Sequence, residues 1–549
     1  MATVIINWRM INDGLNGKID MIWHITWLQH FSAQVYEGIH YPRWLAGTNY
    51  GYGSPTFVFY PPLVYYLGTF LKSFGLNIEK TVIILYSSAI FFCGLNFYIY
   101  GRSRWGIIPS LAGAFAYMTA PYLAFTTYWV SSLSSLFAFA WIPLCFWLTE
   151  KTIIQPRWGI GLTFLWAILA LTHLPSLLLF LVFWLFYTLF LFFNSSWKVF
   201  LLTVLCAAIG LGIVSFYLLP AVLEKSLVNI EVMKEIGGGF QVSMLGAANN
   251  PLIPLKLNSR PPHIFVHQSL AIVVLALITI VFFRRDIKAT RETRWWFSFA
   301  LGLGFFMSYL SWPIWQVVPI LQSVQVSFRL LFIFSFVGAA LYSVVTKGII
   351  NLQPKFKYPL LSIMILILTI NFSFDYKLSR RFPTLNNPGQ ANLEHLTEVK
   401  TALEEPYTDK LRDVAEYIPL LSNGKSPDAP IIGQPRVSVI QGTATVEIQS
   451  WNSYQRLLKI DAEESSTIRI RTYFYPAWHL YLNQVSYPIN VLSDGTIGFK
   501  LNPGSYVVKL NYQHTFAFIV GMIFSTISIL LMIALWVIEF KFNLSKKII

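Results

Sequence analysis

Apolar residues run through this chain in long stretches that polar residues interrupt at intervals, the pattern of helices that cross a bilayer. Stretches of spanning character lie near 80–100, 105–122, 130–149, 158–173, 176–193, 199–220, 268–284, 295–311, 329–346, 358–374 and 515–538. They predict a polytopic α-helical membrane protein of about 11 spans. Before the last span the texture changes. Residues 376–512 are polar, with alternating runs such as STIRIRTYF, GTATVEIQS and GSYVVKLNY and the turn signals SDGT and NPGS. Period-two alternation between such turns indicates strands. A β domain is expected at about 430–512, after a mixed segment with a helix near 391–417. The chain therefore divides into a first segment, 1–79, a helical bundle, 80–375, a mixed and then β-sandwich-like domain, 376–512, and a final helix with a basic tail, 513–549. A long loop at 224–267 interrupts the bundle.

The cations fix an expected orientation. Arg102 and Arg104 follow the first span, Lys151 and Arg157 the third, Lys198 the fifth, and Arg284, Arg285, Lys288, Arg291 and Arg294 the seventh. Lys347, Lys355 and Lys357 follow the ninth, and Lys541, Lys546 and Lys547 the last. Every second loop is basic, which by the positive-inside rule puts the C-terminus in the cytoplasm and residues 1–79, 224–267 and 376–512 outside. If 57–74, FVFYPPLVYYLGTFLKSF, also crossed, the basic loops would face out. Pro61 and Pro62 break helical hydrogen bonding there, so the stretch is expected to be re-entrant and to line a cavity. Residues 1–20 contain no apolar run of signal-peptide length. An outside N-terminus then requires that the first span draw it across or that a helix precede it, and the second is the expectation.

Composition agrees with a membrane protein. The chain is 55% hydrophobic and 12% charged, against roughly 25% charged in soluble domains. The net charge of +15 follows from the basic loops, and no nucleic-acid-binding motif accompanies it. Cys93, Cys145 and Cys206 each fall in an apolar span without a CxxC, so neither disulfide nor zinc site is indicated. No phosphate-binding glycine loop or dinucleotide fingerprint is present.

Asp20 and His24 stand four apart in a helical pattern and share a face. The pair suits deprotonation of a sugar hydroxyl or a hold on a divalent metal ion, and equally suits a plain polar helix on the membrane surface. Asp13 is a second acid in the same segment. Arg43, beside His40 and Tyr41 in HYPRW, has the planar fork that grips a lipid phosphate; anchoring at the interface is the alternative. His173, Glu224 and Arg329 sit at outer ends of spans, where ionisable groups usually face a cavity. Arg329 is alone among cations on its side.

The run D-x3-H, then G-x2-YPRW-x4-N-x-GYGSP-x-F-x-FYPPL-x-YYL, resembles a family of bacterial multi-pass proteins described as "6-pyruvoyl-tetrahydropterin synthase-related" membrane proteins. LTHLPS, LLPAVLE and TYFYPAWHLYLN fit it too. The architecture is similar to GT-C glycosyltransferases and YfhO-like proteins. That resemblance implies a plasma-membrane enzyme of the cell envelope that takes a sugar from a polyprenyl-phosphate donor and passes it to a glycan, lipid or protein acceptor at the outer face. By position it gives Asp20 the catalytic acidic role, with Asp13 second; His24 is the further catalytic candidate, and Arg43, Tyr41, Tyr60, Arg329, His173 and Glu224 are the candidates for contact with substrate. A lipid or glycan transporter, or a non-catalytic envelope protein, is the alternative.

Overall fold

The structure, a computed structural model, describes residues 1–16, 19–192, 197–234, 239–247, 261–322, 324–387, 394–404 and 413–548. Among the described residues, eight helices are long and apolar enough to cross a membrane: Ile78–Trp105, Ile107–Val130, Leu133–Ile154, Leu174–Leu191, Pro261–Phe282, Ser327–Ile350, Pro354–Arg380 and Phe516–Val537. A ninth is possible if Trp197–Ile213 and Ser215–Leu223, bent by 74°, make one span. The sequence suggested about 11. The stretch at 158–173 gives only the helix Gly159–Ala170 after a short 3-10 turn. At 12 residues it is about 18 Å long, short of the hydrocarbon thickness. The stretch at 295–311 is the second half of Ile287–Met307, whose first half, IKATRETR, is charged.

Ser327–Ile350 is the central helix, with most of its residues buried, whereas most of Phe516–Val537 is exposed. Around the centre the helices interlock through aromatic rings. Phe146 stacks on Phe336 at 4.9 Å and Tyr117 on Phe139 at 4.4 Å. Small residues let backbones close in, as is usual between membrane helices. A methyl group at Gly113 would lie 2.9 Å from the Ala339 carbonyl. At one end of the bundle Arg104 binds Glu292 at 2.7 Å and also Glu150, and Trp105 donates to Glu292 at 3.2 Å. Three helices are tied there.

The first segment lies at the opposite end. Met21–Tyr36 is a 16-residue helix buried along most of its length. The FYPPL stretch forms two short helices, Thr56–Phe59 and Leu63–Lys72, with an extended break at Tyr60. Neither is long enough to span.

The C-terminal domain is an antiparallel sandwich. Its strands are β1 Val437–Gln441, β2 Ala444–Trp451, β3 Gln455–Ala462, β4 Ser466–Tyr473, β5 Trp478–Leu482, β6 Val485–Tyr487, β7 Asn490–Val491, β8 Thr496–Leu501 and β9 Gly504–Tyr512. One sheet runs β1-β4-β8-β7 and the other β2-β3-β9-β5-β6. Alternation along β9 buries Val508 and Leu510 and turns Lys509 out. The helix expected near 391–417 is shorter, Glu394–Glu404. Residues 405–412 lie outside the described part, and from Asp413 the chain is a strap with one 3-10 turn, Ala415–Tyr417.

Candidate functional site

The candidate site gathers where the first segment, the bundle and the strap meet. Asp20 occupies the N-cap of Met21–Tyr36 but makes no capping bond with its side chain. Its amide donates to the Val130 carbonyl at 3.0 Å, which fixes it against the π-helical turn Phe125–Val130. Such turns recur at functional sites. Among the described residues the Asp20 carboxylate has no hydrogen bond and no ion pair. Burial raises its pKa to about 6, and the charge of Arg329 acts against that rise. An acid so poised can take up a proton near neutrality.

Arg329 begins the central helix, in the 3-10 turn Ser327–Leu330. Its guanidinium donates to the Val324 carbonyl at 2.8 Å and to Gln325 Oε1 at 2.6 Å. These neutral partners orient it without cancelling its charge, and no described carboxylate pairs with it. The titratable groups near it are Asp20 and the neutral phenols of Tyr60, Tyr122 and Tyr417. A half-buried, oriented and uncompensated guanidinium is a good seat for an anion.

His173 completes this side. Its Nδ1 accepts from the Ser176 amide at 3.3 Å and lies 2.8 Å from Ser176 Oγ, capping the helix that follows and leaving Nε2 unused. It is within reach of the Arg329 charge. Tyr60, at the break of the FYPPL stretch, packs against Trp27 at 4.6 Å and feels both Asp20 and Arg329.

The strap supplies two residues that the sequence gave no reason to choose. Glu416 has its pKa raised to about 7, first by burial and then by the nearby charges of Asp413 and Asp20. Tyr417 stacks on Phe59 at 6.0 Å. Both are held by Asp413, a buried carboxylate that accepts from Trp27 Nε1 at 2.8 Å and from the hydroxyls of Ser54 and Thr56. The Asp413 amide donates to Asn49 Oδ1 at 2.9 Å. Further on, the Asn229 amide donates to the Ile418 carbonyl at 3.1 Å and the Leu420 amide to the Leu227 carbonyl at 2.9 Å.

Other residues singled out in the sequence lie elsewhere or are otherwise engaged. His24 is adjacent to the site but committed: Nε2 accepts from the Leu133 amide at 3.1 Å and Nδ1 meets Tyr65 Oη at 2.8 Å. Burial lowers its pKa to about 3, so it is a neutral core histidine and not the partner of Asp20 that the four-residue spacing suggested. Asp13 pairs with Arg9 at 3.4 Å. Arg43, Tyr41 and Glu224 belong to the joint with the β domain. The Arg43 guanidinium lies over Phe518 at 4.0 Å and beside His514 Nδ1 at 2.8 Å. The Tyr41 hydroxyl donates to the Phe57 carbonyl, and Glu224 accepts from the Tyr475 hydroxyl. In the same joint Trp44 packs on Trp478 at 5.7 Å, and the Tyr473 amide donates to the Tyr52 carbonyl at 2.8 Å. Gly51 and Gly53 have φ of +84° and +80°, and a methyl group there would strike Arg471 and Trp44.

Among the described residues no three carboxylate, imidazole or thiol groups converge as metal ligands. No protein-family model matches the chain, and no curated protein matches it.

Proposed function

We propose that this protein is a GT-C-type membrane glycosyltransferase that moves a sugar from a polyprenyl-phosphate donor to an acceptor at the extracytoplasmic face of a bacterial plasma membrane. Membership of the pterin-synthase-related membrane family, and a cytoplasmic C-terminus, are part of the same proposal; the motif run and the cation alternation support them. The observation that carries the reading is the Asp20 carboxylate, unpaired among the described residues and with its pKa near 6, within the field of an Arg329 that no described carboxylate pairs with. In the proposed step the acceptor hydroxyl gives its proton to Asp20 while its oxygen attacks the anomeric carbon. The carbon–oxygen bond to phosphate breaks, and polyprenyl phosphate leaves with its charge stabilised by Arg329. Glu416 and Asp20 are the carboxylates that would meet a divalent ion, whose other ligands would come from phosphate and water.

The bend of 74° between Trp197–Ile213 and Ser215–Leu223 favours a second reading, since broken helices recur in transporters. The two separate in one assay. Membranes carrying the wild-type protein or Asp20→Asn are given a radiolabelled polyprenyl-phosphate sugar. A transferase consumes the donor in an Asp20-dependent way. Relocation of donor across the bilayer without consumption would favour transport.

A further inference from the structure

A cleft of about 550 Å³ lies between the loop after Met21–Tyr36 and the ends of strands β3 and β9 of the five-stranded sheet. Its size is in the range of small-ligand sites, about 300–1,000 Å³. Asp20 and Arg329 do not line it. Its walls carry Asn452, Gln455, Asn511 and Gln513, with Glu37 opposite. Four carboxamides and one carboxylate, with no lysine or arginine, make a poor seat for phosphate or nucleic acid. Ile39 is the one aliphatic lining residue, which makes it a poor seat for an acyl chain.

The carboxamides are not used up by the fold. Gln455 and Asn511 are paired across β3 and β9, and Gln455 Nε2 donates to Asn511 Oδ1 at 3.2 Å. Gln455 Oε1 and Asn511 Nδ2 remain, an acceptor and a donor side by side. Asn511 is also aligned with His479 on β5, so amide, amide and imidazole form a row across three strands. Gln513 Nε2 is held by Tyr481 Oη at 2.8 Å, which leaves its oxygen. Tyr454 and Tyr512 line the cleft too, with the Tyr512 hydroxyl buried behind its wall. β9 is the middle strand of its sheet and β3 its neighbour, so a peptide cannot add to a free edge here as in strand augmentation.

We propose that this cleft binds a neutral saccharide. Planar carboxamides offer a donor and an acceptor at the spacing of two neighbouring sugar hydroxyls, and the lining tyrosines give an apolar wall to the sugar's C–H face. Binding here is independent of transfer at Asp20.

The test uses the full chain in detergent, applied to immobilised neutral glycans (glucan, mannan, galactan and N-acetylglucosamine oligomers), with heparin as a polyanion control. At least one neutral glycan should retain the protein, and free oligosaccharide of the same kind should elute it. Asn452→Ala, at an exposed position, and Asn511→Leu should each weaken retention about fivefold or more. Thermal unfolding of each variant checks that it is folded. Retention by heparin alone, by no neutral glycan, or unchanged in the folded Asn452 and Asn511 variants would overturn the proposal.

Discussion

Asp20 and Arg329 lie close enough for each to feel the other's charge, yet no ion pair joins them. Opposite charges at such a junction normally close on each other. Here the Asp20 amide is tied to the Val130 carbonyl, and the guanidinium is turned to the Val324 carbonyl and Gln325 Oε1, so each group is held by neutral partners and not by the other.

Replacement of Asp20 by Asn should lower transfer by about 10²–10⁴-fold. The wild-type rate at limiting substrate should rise with pH through about 6, because the carboxylate must be ionised to accept a proton, and the variant should lack that limb. Stability should move the other way. The folded-state pKa is raised from 3.8 to about 6. The contribution of Asp20 is therefore full below about pH 4 and is lost as pH rises through about 6. At pH 8 the variant should be more stable by about 1–3 kcal/mol, and at pH 4 the two should unfold alike. Denaturation at both pH values checks the sign.

Arg329→Lys keeps the charge and loses the fork, so it should raise the donor KM more than it lowers kcat. Arg329→Ala should lose both. Steady-state kinetics over a donor series separates the two outcomes.

Asp413 anchors the strap through Trp27, Ser54 and Thr56. In Asp413→Ala these donors lose their shared acceptor, at about 1–3 kcal/mol for each one left buried and unpaired. Hydrogen exchange at residues 413–420 should accelerate strongly, while exchange in β3 and β9 should not change.

Arg104 stands between Glu150 and Glu292. Arg104→Leu leaves two half-buried carboxylates without their cation and should cost about 3–5 kcal/mol. The triple replacement with Gln at both glutamates should recover most of it. Thermal unfolding in detergent compares the three proteins.

The proposed orientation places the loop after Pro261–Phe282 in the cytoplasm. Lys288→Cys, exposed in the fold, should resist a membrane-impermeant thiol reagent in intact cells and react once the cells are opened. Labelling in intact cells would reverse the topology.

The helices and the β domain were legible because apolar runs and alternation report burial directly. Hydropathy counts composition and not continuity, so neither the shortness of Gly159–Ala170, nor the charged first half of Ile287–Met307, nor the bend at Val214 registered in it. Asp20 and Arg329 were legible as charges out of place. Glu416 and Asp413 were not, since they lie in a polar stretch without periodicity and act through contacts more than 350 residues distant in sequence. Arg43 was visible but ambiguous: an arginine among aromatics looks the same whether it faces a lipid phosphate or the rings of another domain.

The run from Tyr41 to Pro55 is thus a weld between the first segment and the sandwich. Arg43, Trp44, Tyr52 and Gly51 each meet a specific partner in 454–518, and Gly53 makes room for the Trp44 ring. A search keyed on YPRW and GYGSP would gather proteins that share this mechanical coupling, whatever reaction they carry out. The spelling of the motif records how the sandwich is mounted, and the proposed chemistry has to be read separately, at Asp20.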